Sequence, residues 1–372
     1  MALYIGLMSG TSLDGVDGVL ADFDPSTLRP LRTLAHAHRS FEAGLRDELL
    51  ALNRSGHDEL HRAALASNGL MLAYAEVVAE LLNGAGRRPR DVVALGAHGQ
   101  TVRHQPGAFD GLGYTVQLAN GALLAERSGI TVVCDFRSAD VAAGGQGAPL
   151  VPAFHAACLS EPGQDGALLN IGGIANLTLL SAAGAVGGFD TGPGNLLIDL
   201  WCQRAWGEAY DDGGRRAASG QVDTELLARL LADPYFAAPP PKSTGRDHFH
   251  GPWLDRVLAQ AEPVNPVDVL TTLAELTAAS AAEALQRTMP GVRHLRVCGG
   301  GAFNGHLMAR LQARLPGTIV ESTTALGVPA DQVEALAFAW LAAQRLAGRA
   351  ATLAGVTGAR GARISGAVHL AP

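Results

Sequence analysis

The chain has 372 residues, which is long for one compact core and reads as two domains. With 48% hydrophobic and 17% charged residues it can fill a large core, which excludes a disordered chain, and a formal charge of −7 offers no basic footprint for nonspecific nucleic-acid binding. The first apolar run ends in a polar turn with no basic segment before it. It therefore reads as a strand rather than a signal peptide, and no apolar run approaches the ~20 residues of a membrane-spanning helix.

Strands and helices alternate along the whole chain, which defines an α/β protein. ALYIGLM and VDGVLADF predict a hairpin, and LRTLAHAHRSF adds a third strand. ELHRAALASNGLMLAYAEVVAELL places apolar residues at helical spacing. DVVALGAHG and GITVVCDF are short buried strands ending in polar loops. From Gly166 the plan restarts: GALLNIGGIANLTLLS is strand, polar tip and strand, and GAVGGFD supplies the third. The helix VDVLTTLAELTAASAAEALQR, the strand HLRVCGGG, a helix, the strand GTIVES and a last helix from Asp331 follow. Both halves share a three-strand meander with a polar first tip, followed by helix–strand units. Two such halves facing each other would put both tips in one cleft. The expected division is 1–160 plus 349–372 as one domain and 161–348 as the other.

Several familiar motifs are absent. No GxxxxGK[ST] occurs, and GGGAFNG lacks the dinucleotide context. HDELH at His57 reads as a solvated helix start, because no third zinc ligand is evident. Cys134, Cys158, Cys202 and Cys298 are scattered without a CxxC pair and read as buried, reduced thiols of a cytoplasmic protein. Of 28 basic residues only Lys242, in PPPKSTGRDHF, is a lysine. That bias is either genome composition or a place where a compact ammonium does what a planar fork does not.

The first tip, SGTSLDG, offers backbone N–H groups and the hydroxyls of Ser9, Thr11 and Ser12, donors suited to phosphate oxygens. The second, NIGGIAN, offers close backbone approach at Gly172 and Gly173. Each alone is equally a solvated turn; two at matching places favour a phosphate clamp. In VCGGGAFN, a glycine shelf lets a flat ring lie on the backbone. The predicted ATP- and phosphate-binding set is Gly10, Thr11, Ser12, Leu13, Asp14, Gly15, Val16 and Asp17, then Gly172, Gly173 and Asn176, then Gly299, Gly300, Gly301 and Asn304. Carboxylates at Asp14 and Asp17 would repel phosphate directly, so Mg²⁺ or its waters would sit between. In GFDTGPGN, Asp190 ends a strand and Pro193 sits in the first turn of the next helix. Asp190 is then either a catalytic carboxylate on the cleft floor or a helix N-terminal charge. GAHGQTVRH and DFRSADVAAGGQGAPL carry the directional hydrogen bonders and the arginine expected of sugar or carboxylate recognition. The substrate candidates among them are His98, Gln100, Thr101, Arg137 and Gln146.

Together these segments resemble the anhydro-N-acetylmuramic acid kinases, a branch of the sugar-kinase/Hsp70/actin superfamily. The resemblance runs through GLMSGTSLDGVD, HGQTVRH, DFRSADVAAGGQGAPLVPAFH, NIGGIANLT, GFDTGPGN, PKSTGRDHF, VCGGGAFN and the helix from Asp331, in the family's order. Small departures are Ala119 at a place associated with glycine and a longer PGAFDGLGYT. The resemblance implies a two-domain, ribonuclease H-like fold with an interdomain cleft and an ATP- and Mg²⁺-dependent kinase. It would open 1,6-anhydro-N-acetylmuramic acid with water and phosphorylate O6, in peptidoglycan recycling. Asp190 matches the catalytic base, Arg137 is the candidate for the lactyl carboxylate, and Glu334 for holding the sugar. The implied partner is a small amino sugar, with neither nucleic acid nor membrane, and the expected assembly is a cytoplasmic homodimer. The rivals are a sugar kinase without hydrolysis and a non-catalytic ATP-driven module on the same fold.

Overall fold

In the computed structural model, which describes residues 2–10, 13–161, 163–246 and 248–372, the first apolar segment forms strand β1 (Ala2–Met8). It turns back into β2 (Gly15–Phe23), paired antiparallel from Ala2 with Phe23 to Met8 with Asp17. The third segment is β3 (Pro30–Ser40), antiparallel to β2. β4 (Val92–Ala97) runs parallel to β1 on its other side. β5 (Gln100–Pro106) and β6 (Gly113–Leu118) form a separate antiparallel ribbon, and β7 (Val132–Cys134) lies parallel to β4. From Gly166 the plan repeats. β8 (Gly166–Ile171), β9 (Ile174–Leu180) and β10 (Val186–Pro193) form an antiparallel meander; β11 (His294–Cys298) and β12 (Ile319–Ser322) extend it in parallel. A short β13 (Ala367–His369) pairs with β7. The sheet orders are β13-β7-β4-β1-β2-β3 and β10-β9-β8-β11-β12. Third, second, first and fourth strands lie side by side in both, so the repeat expected from the sequence is present in topology.

The packing of Cα atoms divides the chain into Met1–Leu159 with Gln332–Pro372, and Ser160–Asp331. This moves one expected boundary. The helix Val333–Leu346 belongs to the first unit, where the sequence reading put it in the second. The cause is a pair of strand glycines. Gly6 and Gly96 lie in register on β1 and β4, and a Cβ on either would meet a helix carbonyl, Ala335 O at 1.8 Å or Phe338 O at 2.0 Å. Without side chains there, the helix backbone rests directly on the sheet. It buries Leu336, Phe338, Trp340 and Leu341, each worth about 2 kcal/mol of transfer free energy.

The helix Glu59–Gly84 is the long amphipathic one. Leu70, Tyr74, Val77 and Leu81 are buried at helical spacing in the same apolar cluster as β1 and β2, while Leu60 and Leu65 face solvent. By length and composition it would be long enough to cross a bilayer, which corrects the expectation that no segment is. Here its buried face packs as a core helix does.

In the second unit, β10 continues past Asp190 to Pro193, and the next helix begins only at Leu196. Pro193 therefore closes the strand instead of opening the helix. The N–H groups of Gly194, Asn195 and Leu196 bond to the carbonyls of Gly172 and Gly173 at 2.8–3.1 Å, which holds this link outside the helix.

Candidate active site

The first tip is held from below by residues expected to touch substrate. Ser9 is buried, and its Oγ donates to the Gly99 carbonyl (3.0 Å) and lies 2.8 Å from the Tyr74 hydroxyl. It presents no hydroxyl to a phosphate, which corrects one of the three counted from sequence. Thr11 and Ser12, the other two, lie outside the described residues. Gln100 Nε2 donates to the Gly10 carbonyl (3.1 Å), and its buried Oε1 has no hydrogen-bond partner among the described residues. His98 is 5% exposed and sits between the Ser9 carbonyl and Arg137. Arg137 has no acceptor on its guanidinium, so its Nε and NH2 donate to His98 Nε2 (3.3 and 3.0 Å). The imidazole proton must then be on Nδ1, which donates to Ser9 O (3.2 Å). Burial first, and then the Arg137 charge, push His98 down to about 3, so the ring stays neutral.

The network continues away from the tip. Arg137 NH1 donates to the Gly147 carbonyl (2.7 Å), and Gly147 N–H donates to the buried Asp140 Oδ2 (2.8 Å). Thr357 Oγ1, from the C-terminal tail, donates to Asp140 Oδ1 (2.8 Å). His98 and Gln100 thus bond to the backbone of the tip, and Arg137 reaches it through His98. Thr101 Oγ1 accepts from Gln117 Nε2 (3.2 Å), Gln146 is exposed, and Glu334 is half-buried in the first turn of its helix.

The rest of the first tip divides by burial. Leu13 and Val16 point into the core, and Gly15 is fixed by the Arg39 carbonyl, 2.2 Å from where its Cβ would be. Only their main chain can serve a ligand. Asp14 is exposed. Asp17 faces β3, with His38 Nδ1 at 2.9 Å and His36 Nε2 at 3.7 Å from Oδ1. Burial alone would raise the Asp17 carboxyl, but the two imidazoles outweigh it and hold it low. No group of three or more metal-ligating side chains occurs among the described residues. Water-mediated contact through one or two carboxylates, with phosphates completing the shell, is the arrangement Mg²⁺ favours.

In the second unit, Asn170, Asn176 and Asp190 are in register across β8, β9 and β10, which puts three polar side chains on one face. Asn176 Oδ1 is buried with no hydrogen-bond partner among the described residues. Asp190 is gripped by the helix Pro234–Ala237 and the segment after it. Its N–H donates to Lys242 O (3.2 Å), its carbonyl accepts from the Tyr235 hydroxyl (2.7 Å), and its Oδ2 accepts from Thr244 N–H (3.0 Å). Asp190 is therefore a strand residue with a positioned carboxylate, not a helix N-terminal cap. Sequence reasoning assigned no role to Tyr235 or Thr244; the pointers to this segment were Lys242, the sole lysine, and the PKSTGRDHF stretch, which contains Thr244.

Packing also explains part of the glycine shelf. A Cβ on Gly299, whose φ is +78°, would lie 2.4 Å from Asn170 Oδ1, and one on Gly301 would lie 2.4 Å from Ile171 Cγ2. Gly300 is exposed, and a Cβ there would meet only Asn195 Nδ2 at an ordinary 3.6 Å. Asn304 is a helix cap, its side chain accepting from Leu307 N–H (2.9 Å). A cavity of about 530 Å³ among Glu208, Tyr210, Asp211, Arg215 and Arg216 contains none of the predicted residues.

Two sheets of matching order, each with a polar first tip, define the sugar-kinase/Hsp70/actin-like fold. Component A of (R)-2-hydroxyglutaryl-CoA dehydratase from Acidaminococcus fermentans shares it, with a TM-score of 0.51 over 93% of this chain and 100% of that one at 12% identity. The family model for anhydro-N-acetylmuramic acid kinase matches residues 2–371. Anhydro-N-acetylmuramic acid kinase of Variovorax paradoxus (strain S110) is 58% identical, covering 99% of this chain and 98% of the relative. That of Albidiferax ferrireducens (strain ATCC BAA-621 / DSM 15236 / T118) is 54% identical, covering 99% of each. The chain belongs to the anhydro-N-acetylmuramic acid kinase family.

Proposed function

We propose that this enzyme converts 1,6-anhydro-N-acetylmuramic acid, ATP and water into N-acetylmuramic acid 6-phosphate and ADP, and that Asp190 is the base. The observation that carries the reading is the grip on Asp190: two hydrogen bonds fix its main chain and a third, from Thr244 N–H, orients its carboxylate on the polar face of the second sheet. In the reaction, water attacks C1 of the sugar and gives a proton to Asp190. The C1–O bond to the bridge breaks, and the bridging oxygen, retained on C6, attacks the γ-phosphorus while ADP leaves. Phosphoryl transfer absorbs the charge on the leaving oxygen, so no protein acid is required there. Main-chain N–H groups of the first tip and of the Gly172–Gly173 turn bind the phosphates. A Mg²⁺ ion, reached by Asp14 and Asp17 through water, would offset phosphate charge. Arg137, already donating to His98 and Gly147, is the proposed partner of the lactyl carboxylate, and Glu334 of the sugar.

A kinase without hydrolysis would use Asp190 to deprotonate a sugar hydroxyl instead. Turnover in ¹⁸O-labelled water separates the two: label at C1 of the product is expected, and unlabelled product refutes the hydrolytic reading. Asp190→Asn is expected to abolish turnover while nucleotide binding persists; turnover at the wild-type rate removes Asp190 as base. A place in peptidoglycan recycling in the cytoplasm, as a homodimer, belongs to the same proposal; sedimentation of the purified chain at monomer mass would refute the dimer.

A further inference from the structure

Lys242 is the one lysine of the chain, and the reaction as derived gives it no task. Its half-buried ammonium donates to the carbonyls of Tyr235 (2.9 Å) and Phe236 (3.4 Å), near the end of the helix Pro234–Ala237. The same ammonium stands 4.5 Å from the centroid of the Tyr235 ring. Arg287, from the helix Pro266–Thr288, also donates to the Phe236 carbonyl (2.9 Å). Gly192 of β10, with φ +149°, would place a Cβ 2.7 Å from the Phe236 ring, so this short helix lies directly on the strand that carries Asp190. One turn of helix thus receives two cations on its carbonyls and offers one hydroxyl, that of Tyr235, to Asp190.

We infer that Lys242 is a positioning residue for Asp190: its ammonium pins Tyr235 and closes residues 235–244 into the loop whose Tyr235 hydroxyl, Lys242 carbonyl and Thr244 N–H hold the base. The inference rests on Asp190 as the base. Lys242 also couples to Asp190 electrostatically. Burial and then Arg287 pull the Lys242 ammonium down, while Asp190 opposes them. A cation near a carboxylate favours its ionised form, so removing it makes Asp190 easier to protonate. Other charged or titratable groups around this loop are Arg287, the Tyr235 phenol, which burial and Asp190 raise, and the Asp233–His248 pair, His248 lying against the Tyr235 ring. All of them are retained in the Lys242 variants.

The test compares the full-length wild type with Lys242→Met, Lys242→Arg, Tyr235→Phe and Asp190→Asn, with kcat and both KM values measured from pH 5 to 9. Misplacing a base by about 1 Å costs about 100-fold. Lys242→Met is expected to lose about that much in kcat with KM for ATP within about twofold, and to move the acid limb of kcat to higher pH. Lys242→Arg keeps the charge and should restore the acid limb, but only part of kcat, because its fork competes with Arg287 for the same carbonyls. Tyr235→Phe, losing one hydrogen bond, should lower kcat about fivefold with the acid limb in place. A Lys242→Met enzyme with wild-type kcat, an unmoved acid limb, or a defect confined to KM for ATP overturns the inference. If Lys242→Met does not fold, wild-type kcat in both Lys242→Arg and Tyr235→Phe does so. Asp190→Asn keeps the two readings apart: full turnover there removes the base itself, whereas inactivity there beside an unaffected Lys242→Met removes only the role of Lys242.

Discussion

His98 offers a test of the network under the first tip that needs no substrate. The ring is 5% exposed, neutral, and donates to Ser9 O while accepting from Arg137. Its folded-state pKa is pushed down to about 3, below the ordinary histidine value. The unfolded chain therefore binds a proton that the folded chain refuses. Stability from this residue is complete above the unfolded pKa of about 6.5 and is lost as pH falls toward 3. Linkage with these two values gives a loss of about 1 kcal/mol at pH 6 and about 2 kcal/mol at pH 5. His98→Gln keeps an acceptor for Arg137 and a donor for Ser9 without a titrating group. The assay is urea unfolding at pH 7.5 and 5.0, followed by hydrogen exchange of the β1 and β4 peptides, which reports on this unit alone. Whatever the substitution costs at pH 7.5, the wild type should lose about 2 kcal/mol more than His98→Gln on going to pH 5. A constant difference between the two proteins at both pH values would mean that His98 is not held neutral between Ser9 and Arg137.

Gly96→Ala should destabilise the first unit by about 3 kcal/mol or more, because the new methyl would lie 2.0 Å from the Phe338 carbonyl; an unchanged urea midpoint would refute the seating of that helix. Glu275 is buried and ion-paired with Arg310 and Arg314. Burial would raise its carboxyl, but the two arginines outweigh that and lower it, so its stabilisation is present above the unfolded value and is lost as pH falls through the lowered one. Discounting for the partly exposed arginines, Glu275→Gln should cost about 2 kcal/mol at neutral pH, read as a lower melting temperature, and the difference should shrink as pH falls through the lowered value of the carboxyl. Asp14→Asn should raise the Mg²⁺ concentration for half-maximal activity several-fold with the fold intact by circular dichroism; an unchanged Mg²⁺ requirement removes Asp14 from metal handling.

The repeated meander was legible because strand period and polar tips recur at Gly166, and both signals are local in sequence. The boundary at Gln332 was not, because the pattern of the last helix shows that it is buried without showing against what. The glycines of β1 and β4 were the available clue, since glycine inside a strand marks close backbone approach. His36 and His38 alternate along β3, which places both on the face of Asp17, a pairing that two-residue spacing carries but the motif around Asp17 hides. Ser9 shows the limit of counting hydroxyls: a serine at a tip is a ligand donor or a structural bond depending on a tyrosine 65 positions away. Asp190 is a candidate through its motif, whereas the groups that bond to it come from the short helix Pro234–Ala237 and the irregular segment after it, which carry no periodic signal.

The seat of the last helix on Gly6 and Gly96 has a consequence for synthesis. The unit from Ser160 to Asp331 is one uninterrupted stretch of chain, while the other is completed by Gln332–Pro372. On the ribosome, β1 emerges before the rest of its sheet, yet the face it offers through Gly6 stays uncovered until residues 333–346 have left the exit tunnel. The usual order of N-terminal unit first is then inverted. The unit encoded in the middle can finish before the one it interrupts, and β1 waits for a helix encoded after that whole unit.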